Sequence, residues 1–218
     1  MNARGFVRFQ LIAGDLALDF VNTLDNRPNP ERHKELLGSY ADLADWALQA
    51  NAISAAKHAV LSRRAKSHPQ DAERVRKNGI ALRECLYRLL ECSVSRRPPP
   101  AADLQSFSER LSEAYSRVAL KAAKPGHTYE LAWDEPSDLT LDSVLWPVVR
   151  AAGALLTSPE LAKVRECDSA SCRWMYVDRS KNHSRRWCDM KVCGNRMKAQ
   201  NFYRRQRSRR LGSTTLAR

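Results

Sequence analysis

Four of the six cysteines in this 218-residue chain fall into two Cys-x4-Cys pairs, Cys167/Cys172 and Cys188/Cys193, with fifteen residues between the pairs. A tetrahedral zinc ion takes four soft ligands, and two tight turns can deliver two thiolates each while the connecting segment stays short. The alternatives are a pair of disulfides, or thiols that only pack. The first residues carry Arg4 and Arg8 but no long apolar run and no small-residue cleavage site, so a cytoplasmic, reducing compartment is expected. Thiols then stay reduced, which favours metal over disulfides. Four protein ligands close the coordination sphere, so one structural zinc ion on Cys167, Cys172, Cys188 and Cys193 is expected, with no open position for catalysis.

The residues around the cysteines suggest a small zinc-organised fold. Arg173 to Asp178 has strand character, Ser180 to His183 turn character, and Arg185-Arg186-Trp187 leads back toward the metal, which together predict a β-hairpin. Asp189 is suited to cap a helix running from Met190 to about Arg209, in which no proline intervenes. Knuckle, hairpin and helix make a treble-clef-like finger. With so few apolar residues, such a module depends on its metal, which supplies on the order of 10–16 kcal/mol in small zinc fingers.

These motifs carry a resemblance. Cys188-x4-Cys193-Gly194-Asn195-Arg196, preceded by Arg185-Arg186-Trp187, resembles the signature of the CGNR zinc-finger family, and Cys167-x4-Cys172 with Trp174 and Asp178 is similar to its first half. Leu16 to Leu24, Leu-Ala-Leu-Asp-Phe-Val-Asn-Thr-Leu, resembles the start of the ABATE domain that usually precedes this finger. The resemblance implies a bacterial, stress-induced transcription regulator.

Charge placement points the same way. The net charge is +13, and the stretch from Arg165 to Arg210 holds fourteen Lys/Arg against four Asp/Glu, leaving only +3 for the rest of the chain. Neutralising phosphates and releasing their counterions drives polyanion binding, so a basic module built on a helix suits DNA. The candidate contacts are Arg185 and Arg186 from the hairpin, and Asn195, Arg196, Lys198, Arg204, Arg205 and Arg207 from the helix. The arginines and lysines set affinity and register; Asn195, Gln200 or Asn201 could read a base edge. Trp174, Tyr176 and Trp187 could stack on unpaired bases of an RNA, or form the core beside the zinc.

The preceding residues read as mainly helical. Phe6 to Ile12 is a candidate strand, and Asp15 a cap for a helix to about Leu24. On that helix Asp19, Asn22 and Thr23 share a face, which makes them candidates for binding a small effector or, alternatively, for fixing neighbouring loops. Helices follow from Ser39, from Ser54 to about Lys66, from Pro69 to Ser95 and around Leu104 to Val118. Cys85 and Cys92, seven apart on one helix, read as small buried apolar residues. Thr128 to Trp133 alternates as a half-buried strand does, and Leu139 to Leu156 as a core helix kinked or restarted at Pro147.

The expected fold class is therefore mainly α: a helical N-terminal domain with a short β element over 1–158, a treble-clef-like finger over 159–210, and a disordered tail over 211–218. No phosphate loop, nucleophile elbow or zinc-protease helix is present, and the five histidines are scattered, so an enzyme is not expected. The apolar stretches are too short for a membrane span. The partners expected are DNA, with RNA or an acidic protein as alternatives, a small effector and a second copy of the chain. A treble-clef nuclease, with His183 beside Asn195 or Asn201, is a further alternative, for which one histidine is insufficient.

Overall fold

A computed structural model describes residues 9–123, 128–133 and 139–214. Its centre is a helix of six residues, α1 (Leu16–Val21), of which Ala17, Leu18, Phe20 and Val21 are buried. Gly14 adopts a left-handed backbone, φ 82°, that turns the chain into the helix. The carboxylate of Asp15 then caps the first turn by accepting from Ala17 N–H. The candidate strand over 6–12 falls partly on residues outside the described set; over 9–12 the chain forms no ladder, and Phe9 is held instead by both ends of the Gln49 amide.

Four further helices pack around α1 and one another: α2 (Tyr40–Gln49), α3 (Ala55–Ser67), α4 (Pro69–Val94) and α6 (Trp146–Leu156), with α5 (Ala101–Tyr115) bridging α4 and α6. The starts follow from side-chain chemistry. Ser39 and Asp42 form a reciprocal capping box on α2, and Ser54 accepts from Lys57 N–H on α3. Pro147 sits in the first turn of α6, behind a 3-10 turn over Leu141–Val144, so the proline restarts the helix rather than kinking it. Phe20 and Trp46 meet with ring centroids 5.0 Å apart in the core. Cys85 and Cys92 are buried.

Two short ladders flank this helical body. β1 (Leu24–Asp25) pairs with β2 (Lys34–Glu35), tied down by Arg83, a buried guanidinium on α4 that donates to both oxygens of Glu35 at 2.6 and 2.7 Å. β3 (Val118–Ala123) pairs in full register with β4 (Thr128–Trp133). The expected strand over 128–133 is present, but its half-burial is not: Tyr129 and Leu131 are 71% and 50% exposed, and Leu120 across the ladder 66%. Alternation gives a face its polarity but does not supply a partner for it. Val118, read as helical, lies in β3, because α5 stops at Tyr115.

Candidate metal centre and nucleic-acid surface

β5 (Val164–Glu166) and β6 (Met175–Val177) form the finger's hairpin, and the first cysteine pair sits in the loop they enclose. The expected hairpin paired 173–178 with 185–187; the strand before Cys167 takes that place. Backbone bonds then shape the knuckle: Cys167 N–H donates to Trp174 O at 2.8 Å and Cys172 N–H to Ser169 O at 2.9 Å. The return segment is held without a ladder. Asp168 N–H donates to Arg186 O, the Tyr176 hydroxyl donates to Arg185 O, and the Asp178 carboxylate accepts from the N–H groups of Ser180 and Arg185.

The second pair is delivered by a π-helical turn, Met190–Gly194, which Asp189 caps by accepting from Val192 N–H at 2.9 Å. Arg185 braces the turn from below. Its guanidinium donates to the carbonyls of Trp187 and Cys188 and lies 4.3 Å from the ring centre of Tyr176.

These contacts bring the four buried sulfurs to within 4.8 Å of one another, with Cys172 and Cys188 3.6 Å apart and Cys188 and Cys193 3.7 Å apart. A tetrahedron with zinc–sulfur bonds of about 2.3 Å has edges of about 3.8 Å. The crowding also separates the thiols in acidity. Hydrogen bonds from Cys172 and Cys188 pull Cys167 far down, and bonding to Cys167 pushes both neighbours up. Burial pushes Cys193 up. Four thiolates this close cannot all ionise without a cation among them. The site therefore fits a single structural zinc ion, which, once bound, fixes the knuckle against the start of the last helix and has no vacant position for a substrate.

The hairpin is covered by the helical body. Met175, Tyr176 and Val177 are buried beside α1, and Asn22, the residue that ends α1, bonds the backbone of Met175 twice: its Nδ2 donates to the carbonyl at 2.8 Å and its Oδ1 accepts from the N–H at 2.9 Å. Trp174 Nε1 donates to Leu24 O, and Val177 N–H donates to Ala13 O. Tyr87 on α4 donates to Glu166 on β5 at 2.9 Å. The other two members of the polar trio turn inward as well. Thr23 donates to Phe20 O, and Asp19 accepts from Ala13 N–H, its carboxyl raised to about 6 by burial.

A family model described as "putative stress-induced transcription regulator", ABATE, matches residues 14–159, more than half of the chain. The chain belongs to the ABATE family. The residues that follow match a second family model, the CGNR zinc finger, over 163–206. No curated protein matches the chain. The ABATE body is thus the α1–α6 assembly, and the CGNR finger is the knuckle, the hairpin and the helix that leaves them. Both models are of regulator and zinc-finger type rather than enzyme families.

That helix, α7 (Asn195–Thr214), has surroundings unlike the hairpin's. Every described side chain from Lys198 to Arg204, and Gln206 beyond, is exposed. Asn195, Arg196 and Lys198 project from its first turn, with Arg196 donating to Ser171 Oγ at 2.9 Å, and Arg204 donates to Asn201 at 3.3 Å. Arg186 is exposed and pairs with Asp168 at 2.7 Å. The side chains of Arg205 and Arg207 lie outside the described set. The helix runs on through Thr214, and of the expected tail 215–218 lie outside the described residues.

Trp174 and Tyr176 belong to the finger's core, as the packing alternative had it. Among the described residues of the finger the exposed aromatics are Phe202 and Tyr203 on α7, 57% and 69% exposed, their rings nearly perpendicular. With Ala199 they sit at i, i+3, i+4, a spacing that reads as a helix face in sequence but does not supply a cover for it. His183 lies with Nδ1 3.1 Å from the carbonyl of Asp178. Among the described residues the four cysteines are the one group of His, Cys, Asp and Glu placed to share a metal, and no helix is long and apolar enough to cross a membrane.

Proposed function

We propose that the chain is a zinc-dependent, DNA-binding transcription regulator of the stress-related ABATE type, in which the body over 1–158 positions the finger over 159–210. The observation that carries this reading is α7: a basic helix, exposed from Lys198 to Arg204 and launched from the metal centre, presents Asn195, Arg196, Lys198 and Arg204 to solvent. A helix whose described side chains from Lys198 onward are all exposed gains little from the core. What repays its cations is a polyanion, and a duplex groove accepts a helix. Arg186 adds a phosphate contact from the return segment, whereas Arg185 acts inside the finger.

Selection from random duplex DNA by the zinc-loaded protein, with single strands and RNA as competitors across a salt series, tests the reading. Enrichment of a duplex motif that persists as salt rises is the expected result, and a chelator should abolish it. Equal, steeply salt-dependent binding to every polyanion would overturn sequence-specific regulation and leave only a basic surface.

A further inference from the structure

Where the ABATE body meets the CGNR finger, the two enclose a half-open cleft of about 260 Å³. One wall is the β1–β2 ladder with the segment before α1, and it contributes Gln10, Asp25, Asn26 and Lys34; the other is the finger, with Ser171 and Arg196. Cys172, Cys188 and Cys193 form the floor. With zinc bound their coordination is complete, so an occupant of the cleft would rest on the metal centre without ligating it.

Two features distinguish this cleft from an ordinary seam. Among the described residues the side chains of Gln10, Asp25, Asn26 and Lys34 make no hydrogen bond to another protein group, although Asp25 and Asn26 are only partly exposed. Polar groups partly withdrawn from water are normally paired, so the half-buried Asp25 and Asn26, with the exposed Gln10 and Lys34 beside them at the rim, are placed for a partner from outside. The charges are also mixed. Asp25 faces two cations, Lys34 and Arg196, that belong to different walls. A purely anionic guest would meet the carboxylate, and a purely cationic guest the two cations.

We propose that the cleft binds a small zwitterion of amino-acid size, its ammonium group on Asp25 and its carboxylate between Lys34 and Arg196, and that occupancy sets the position of the first turn of α7. The volume includes the space that zinc takes among the cysteines and lies under the range of about 300–1,000 Å³ typical of drug-sized sites, so only a molecule as small as this class fits. Arg196 is the mechanical link. It touches Ser171 in the knuckle and stands beside Asn195 and Lys198, so a carboxylate that draws the guanidinium inward withdraws one cation from the outer face of α7. The binding half stands on the cleft alone; the regulatory half rests on the DNA-binding reading above.

Isothermal titration calorimetry of the zinc-loaded full chain with the twenty protein amino acids and γ-aminobutyrate, against acetate and methylamine as single-charge controls, tests the binding half. Saturable binding of at least one zwitterion is expected, with neither control binding. Asp25→Asn and Lys34→Met should each weaken it about tenfold or more, as expected when one charge-assisted hydrogen bond is removed. Zinc content and circular dichroism establish that each variant is folded, and if Asp25→Asn is not, Lys34→Met and Gln10→Ala decide. No saturable binding at millimolar concentration, or binding unmoved by the folded variants, overturns the proposal. The same zwitterion added to a DNA titration should change the DNA affinity severalfold; binding without any such change overturns the regulatory half. A protein that binds the zwitterion but no DNA would instead remove the DNA-binding reading and leave the cleft assignment standing.

Discussion

Met175 and Tyr176 in β6 have no exposed surface, whereas Phe202 and Tyr203 in α7 are more than half exposed, although one metal centre organises both elements. The first pair is held by the ABATE body. Burial of Met175, Tyr176 and Val177 stabilises the hairpin by about 1.5–3 kcal/mol per side chain, and Asn22 satisfies the strand's polar backbone from the end of α1. The second pair has no such cover. A helix whose apolar side chains find no cover is marginal by itself in water, so its order begins at the Asp189 cap and the cysteine turn. The difference assigns the roles: one half of the finger is part of the core, and the other half is presented to a partner.

The largest effect expected is from Cys193→Ser. Structural zinc supplies on the order of 10–16 kcal/mol in isolated fingers, and a missing thiolate should release the ion and disorder α7. Because β6 lies against α1, the variant should also lower the unfolding midpoint of the ABATE body. Elemental analysis with thermal denaturation checks both, and zinc retained at one per chain would contradict the assignment of Cys193 as a ligand.

Asn22→Ala comes next. It leaves the buried N–H and C=O of Met175 without partners, at about 1–3 kcal/mol each. Urea denaturation should show a loss of roughly 2–5 kcal/mol. A loss below about 0.5 kcal/mol, the range of ordinary surface substitutions, would mean that the hairpin does not depend on the body.

Lys198→Ala with Arg204→Ala sharpens the contrast from the other side. Both residues are exposed, so stability should move by no more than about 0.5 kcal/mol. DNA affinity should fall, and the salt slope should shrink by about 0.9 for each phosphate that is no longer neutralised. An unchanged slope would move the DNA-binding surface away from α7.

The smallest effect is one of pH. Burial raises Asp19 to about 6 from an ordinary value of 3.8, so near pH 5 the folded chain keeps a proton that the unfolded chain has released. The contribution of this group to stability is therefore complete below about pH 3.8 and disappears as the pH rises through about 6. Asp19→Asn keeps an acceptor for Ala13 N–H without the charge. Above pH 6.5 it should be more stable than the parent by on the order of 1–2 kcal/mol, with the gap narrowing toward pH 5. A gap that is constant across this range would rule out the titration of Asp19 as its cause.

Local chemistry was the legible part of the sequence. The Asp15, Ser39, Ser54 and Asp189 caps, the restart at Pro147 and the helices from α2 to α6 follow from side chains within a turn of where they act. The cysteine quartet was legible for a similar reason, since metal ligands require fixed spacings. Pairings across the chain were not legible. That Val164–Glu166 rather than 185–187 pairs with β6 depends on which segment α1 and α4 leave uncovered, and strand propensity does not encode this. Asn22 meeting Met175 is likewise a contact across 153 positions. The exposed face of Leu120, Tyr129 and Leu131 shows the limit of periodicity, and the cleft around Asp25 and Lys34 exists only because β1–β2 and the finger share a seam.

The burial of β6 beneath α1 has a consequence for transplantation. A fragment cut just before Val164 would expose three apolar side chains and lack the asparagine that completes the strand's backbone bonding, so the finger cannot be exported whole to another scaffold. The exchangeable part begins after Gly194. Grafting a foreign recognition helix onto that junction would leave the hairpin, the metal and the body untouched, and would change what the protein reads without changing what holds it together.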